Sequence, residues 1–138
     1  WGFLFRRMLD ASVAASLAPL FDNGTSLGHE RFTHKVACWT EADYRRYLAK
    51  GEHHVSWSLD EQPRLRGHVP LLQRALTEWP STRDVARARL AGVTPDGFQE
   101  YLSDLPQLAS PILLSKDRFD FILRLLHYRL FTLKELLG

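Results

Sequence analysis

The spacing of apolar residues changes once along the chain, from a strand-like period to a helical one. Over residues 2–7, Phe3 and Phe5 fall on one side at a two-residue spacing, and a second apolar stretch occupies 12–18, with a turn near Asp10 between them. This pattern predicts a β-hairpin. Pro19 follows the second stretch, and Leu20-Phe21-Asp22-Asn23-Gly24-Thr25-Ser26-Leu27-Gly28 gathers glycine, asparagine and hydroxyl residues. Such a composition is a loop whose backbone needs permissive φ angles or a close approach to something else.

Beyond the loop the spacing is helical. Thr40-Glu41-Ala42-Asp43 reads as an N-terminal cap ahead of Tyr44, Tyr47 and Leu48, which predicts a helix over 41–50 ended by Gly51. Residues 52–66, with His53, His54, Trp57 and Pro63, keep no period and read as an ordered loop. Helices are predicted over 67–79, stopped by Pro80; over 82–91, capped by Ser81 and ended by Gly92; and over 95–104, with Thr94 as cap and Pro95 first in the helix. The last, 115–137, begins at Ser115 and sets Phe119, Ile122, Leu123, Leu126, Leu130, Leu133 and Leu137 near one stripe. Phe121, Leu125, Tyr128 and Phe131 fall outside that stripe, so the helix is apolar over much of its circumference and belongs at the centre of its domain, with Leu126 and Leu130 in the core. The expected fold is mainly α with a short N-terminal β-hairpin (α+β): hairpin and loop over 1–28, a helical body over 29–138.

Composition narrows the function classes. At 138 residues, 45% hydrophobic and 25% charged, the chain suits one globular domain with a real core. Eighteen Lys and Arg against sixteen Asp and Glu leave a formal charge of +2, too small to predict direct binding to nucleic acid or an anionic membrane. Arg6-Arg7, Arg45-Arg46 and Arg83/Arg87/Arg89 read as solvated faces. No run reaches the ~18 apolar residues of a spanning helix, and no signal-peptide pattern is present, so a soluble, cytoplasmic chain is expected. Cys38 stands alone, which fits a reducing compartment, and is expected as a small buried residue. The opening Trp1-Gly2-Phe3-Leu4-Phe5 is apolar and lacks an initiator Met; the reading is a chain cut mid-fold, with Trp1, Phe3 and Phe5 partly buried beside an apolar scar where the missing part docks.

Asp22 is the leading candidate for chemistry. An acidic residue between an apolar strand and a Gly-bearing loop is suited to Mg²⁺, which takes hard oxygen ligands, usually one or two carboxylates together with nucleotide phosphates. Gly24 would let the backbone turn away and leave room for the ion. The same residues also suit an Asp-Asn-Gly turn in which Asp22 caps its own backbone. His29, His34, His53, His54, His68 and His127 match no zinc spacing, and no P-loop, Gly-x-Ser-x-Gly or GxGxxG element occurs.

The run Leu17-Ala18-Pro19-Leu20-Phe21-Asp22-Asn23-Gly24-Thr25-Ser26-Leu27-Gly28, after Trp1-Gly2-Phe3-Leu4, resembles the C-lobe of HipA-like serine/threonine kinases, relatives of the phosphatidylinositol kinases. In that family an Asp-Arg-His-x-x-Asn catalytic segment precedes a pair like Trp1-Gly2, then a hairpin, then an Ala-Pro-x-x-Asp element whose Asp binds Mg²⁺; Ala18-Pro19-Leu20-Phe21-Asp22 matches that element. His54-Val55-Ser56-Trp57 and Gly67-His68-Val69 look like a stretch common to bacterial members, to which no role attaches. The resemblance implies a C-lobe portion of a protein-kinase-like fold, ATP and Mg²⁺ as cofactors, a protein Ser/Thr as acceptor and an association with toxin–antitoxin systems. Neither Asp-Arg-His-x-x-Asn nor a nucleotide-binding lobe occurs in these residues, so the catalytic base is expected upstream of Trp1 and this chain alone is expected to be inactive. Its partners would be the N-terminal part of the same protein, a nucleotide and a protein substrate. The rival reading is a non-catalytic helical binding module or a degenerate kinase relative.

Overall fold

Strand-period alternation at the start of the chain produces the expected hairpin. The computed structural model describes residues 3–17, 28, 32–51, 67–108 and 114–138. In it β1 (Phe3–Arg7) pairs antiparallel with β2 (Val13–Leu17), Phe3 opposite Leu17 and Arg7 opposite Val13. Asp10 organises the turn: its carboxylate accepts from the Ser12 amide at 3.0 Å and the Ser12 hydroxyl at 2.6 Å. Both bonds favour the ionised form and hold the Asp10 carboxyl below the usual carboxylate range. The ribbon is little covered. Phe5 is 73% exposed and Leu9 wholly so, against the expectation that Phe5 is partly buried, because Phe5 stands opposite Ala15, whose small side chain covers little of the ring. Trp1 and the side chain of Phe3 lie outside the described residues.

Six helices follow among the described residues: α1 (Thr33–Ala37), α2 (Glu41–Ala49), α3 (His68–Glu78), α4 (Ser81–Ala91), α5 (Pro95–Leu102) and α6 (Lys116–Leu137). A 3₁₀ turn over Leu105–Gln107 continues from α5, whose α-helical part ends two residues before the expected 104. Local capping explains where three of them start. The Thr40 amide and hydroxyl donate to Asp43 at 2.9 and 2.7 Å, Thr94 Oγ1 accepts from the Gly97 amide at 3.1 Å, and Ser115 Oγ accepts from the Arg118 amide at 3.3 Å. Helix α4 differs from expectation: Ser81 is its first residue, and the flanking position is taken by Pro80 at φ −57°, ψ −34°. Proline needs no amide partner there, and its fixed φ already suits a helix. The loop expected over 52–66 lies outside the described residues, but its two ends meet, since a Cβ added to Gly51 would stand 2.9 Å from His68 Cδ2.

Helix α6 is the centre on which α1, α2, α4 and α5 pack. Its first half joins Val36 of α1 and Tyr44 of α2 in a core of Phe121, Ile122 and Leu125, edged by Trp39, Tyr47 and Tyr128. Three aromatic contacts tie this cluster: Trp39 meets the Phe121 ring edge-on at 5.1 Å, and Tyr44 stacks on Phe121 at 5.7 Å and on Tyr128 at 5.0 Å. The buried arc matches the stripe expected from spacing only in part: Ile122, Leu130 and Leu137 are buried as expected. Phe121 and Leu125, outside that stripe, are 1% and 0% exposed, whereas Leu123, Leu126 and Leu133 are half-buried. The physical reason is that α6 has different neighbours along its length, α1 and α2 over Phe121 and Leu125, α4 and α5 further on, where Leu130 and Leu137 are buried.

The C-terminus of α6 is held by two cations of α4 and one of its own. Arg83 Nη1 donates to the Leu136 and Leu137 carbonyls at 2.7 and 3.1 Å, Arg87 Nη2 to Leu137 at 2.6 Å, and Lys134 Nζ to the Val93 carbonyl at 3.0 Å. Arg83 and Arg87 are thus capping groups rather than members of a solvated face, satisfying carbonyls that a helix end leaves without partners. Cys38 is also corrected: it is exposed, because it sits just past the end of α1 while Val36 takes the inward position. No described helix is long and apolar enough to cross a membrane.

Candidate functional site

Asp22 lies outside the described residues, as do Gly24, His53, His54 and Trp57. Both ends of the Asp22 loop are fixed. Upstream, Leu17 closes the hairpin ladder against Phe3. Downstream, Gly28 has φ +88° and lies directly on α6: a Cβ there would run into the Phe121 ring, 2.8 Å from Cζ, and stand 3.1 Å from Leu125 Cδ2. The permissive backbone and close approach expected of this loop therefore coincide at Gly28, seated on the two most deeply buried residues of α6. As a donor, the Asp22 carboxylate suits a hard cation such as Mg²⁺. Among the described residues no three His, Cys, Asp or Glu side chains converge at metal-holding spacing.

A second feature is absent from the spacing argument. Between the start of α2 and the middle of α6 runs a groove of about 550 Å³, with Trp39, Glu41, Tyr44 and Arg45 on one wall and Arg124, His127, Tyr128 and Phe131 on the other. The α6 residues recur every three to four positions and so share one face. Glu41 and Arg45 neutralise each other at 2.6 Å across one helical turn. Arg124 has no such carboxylate partner among the described residues. Tyr44 is 2% exposed and meets the groove with little of its surface, and His127 Nε2 is buried with no hydrogen-bond partner among the described residues. Burial pushes the Tyr44 hydroxyl above its ordinary range, and the charge of Arg124 and a hydrogen bond from its side chain moderate that rise.

No family model, curated protein or solved structure matches the chain. The chemistry of both places rests on their own residues. The sequence signal for the groove lies in Tyr128 and Phe131, the apolar residues off the expected stripe of the last helix. His127 is its one histidine; His34 and His68 stand elsewhere, on α1 and at the start of α3.

Proposed function

We propose that the chain is the C-lobe portion of an ATP- and Mg²⁺-dependent kinase of the HipA-like type that transfers the γ-phosphate to a protein Ser or Thr, with Asp22 as a metal ligand. One observation carries this reading: the Ala18-Pro19-Leu20-Phe21-Asp22 element directly follows a hairpin, and the loop it opens returns to the helical core at Gly28. Such an arrangement would support a carboxylate on rigid elements at both ends of its loop, which is what a site with demanding geometry requires. Asp22 would hold Mg²⁺, with no other chemistry of its own, and the bound ion would supply positive charge that offsets the nucleotide phosphates. Asn23 and Gly24 shape the turn. The catalytic base, the phosphate-contacting Lys and the nucleotide lobe would come from sequence upstream of Trp1, and this chain alone would be inactive. The groove between α2 and α6 favours a second reading, a helical binding module in which the Asp22 loop is only a turn.

Asp22→Asn in the complete parent protein separates the two. It keeps shape and removes charge, and loss of several kcal/mol of transition-state stabilisation would lower Mg²⁺-dependent autophosphorylation on the order of a thousandfold, with the melting temperature nearly unchanged. Full activity with a lowered melting temperature, the result of a lost turn bond worth about 1 kcal/mol, would remove Asp22 from the active site.

A further inference from the structure

We propose that the groove between α2 and α6 is a binding site for a small planar aromatic carboxylate, its ring among Trp39, Tyr128 and Phe131 and its charge on Arg124. Three observations converge on this ligand class, independently of the Asp22 reading. The walls are aromatic, and flat rings pack best against flat rings, offset or edge-on. The volume, about 550 Å³, lies within the ordinary range of small-molecule sites. The charge is asymmetric: Arg45 is satisfied by Glu41, whereas Arg124 has no carboxylate partner among the described residues, so an entering anion meets a cation already in place. An apolar ring alone would leave Arg124 unanswered, and a cation would meet it with repulsion.

The test is a titration of the 138-residue chain with 2-naphthoate and with its uncharged counterpart 2-naphthamide, followed by saturation-transfer NMR and calorimetry. One equivalent of 2-naphthoate should bind, and the amide should bind at least about tenfold more weakly, the loss expected of a charge-assisted contact. Arg124→Gln, at an exposed position, should abolish the preference for the acid. Equal binding of acid and amide, no saturable binding of either, or a preference that survives Arg124→Gln would each overturn the proposal.

Discussion

At the scale of single residues, Gly28 is the most constrained glycine among the described residues. Its φ of +88° is one that side chains other than glycine adopt at a cost, and the space a methyl group would occupy is filled by Phe121 and Leu125. Gly28→Ala should therefore destabilise the protein by about 2 kcal/mol or more, read as a shift of the urea midpoint. A neutral result would mean that the end of the Asp22 loop does not rest on α6. Composition makes a glycine-dependent loop legible over residues 20–28, but which glycine bears the constraint depends on Phe121 and Leu125, far away in sequence. Cys38 fails for the related reason that local hydrophobicity does not say on which side of a helix end a residue falls.

Helices are the scale at which sequence and structure agree best, and the agreement has a cause. Caps are short-range chemistry, so Thr40, Thr94 and Ser115 can be read directly, whereas α1 follows Phe32, which makes no side-chain cap bond, and leaves no such signature. The Asp43 carboxyl is held below its ordinary range chiefly by the Thr40 hydroxyl and amide, with the Arg46 charge as a smaller cause. A depressed folded value stabilises the fold above the unfolded pKa, and that contribution is lost as the pH falls through the folded value. Asp43→Asn should thus lower the melting temperature at neutral pH, and the difference from wild type should vanish on acidification below the carboxylate range; a difference independent of pH would contradict this cap. The phase of α6 is less legible, because its burial is decided by four neighbours rather than by one flat face. Leu125→Ala should cost about 2–5 kcal/mol and Leu126→Ala, at a half-buried position, clearly less; the reverse order in chemical denaturation would restore the stripe expected from spacing alone.

For the whole molecule, mainly α architecture with a leading hairpin follows from periodicity, and the arrangement of helices around α6 follows from packing that periodicity does not encode. The groove is illegible in the sequence for the same reason: Tyr44 and Tyr128 are more than eighty residues apart and become neighbours only when α2 docks on α6. Asp22 stands out in the sequence through the element it ends, and the described hairpin and Gly28 give that element a fixed start and a fixed finish. Asp22 is proposed to hold a divalent cation against nucleotide phosphates in the complete parent protein. Electron paramagnetic resonance of Mn²⁺, titrated into that protein with a non-hydrolysable ATP analogue, tests it most directly, since it reads the metal without requiring turnover. The wild-type protein should bind Mn²⁺ together with the nucleotide, and Asp22→Asn should weaken the metal at least about tenfold, roughly 1.4 kcal/mol, without changing the fold; equal Mn²⁺ affinity in the two proteins would contradict the account.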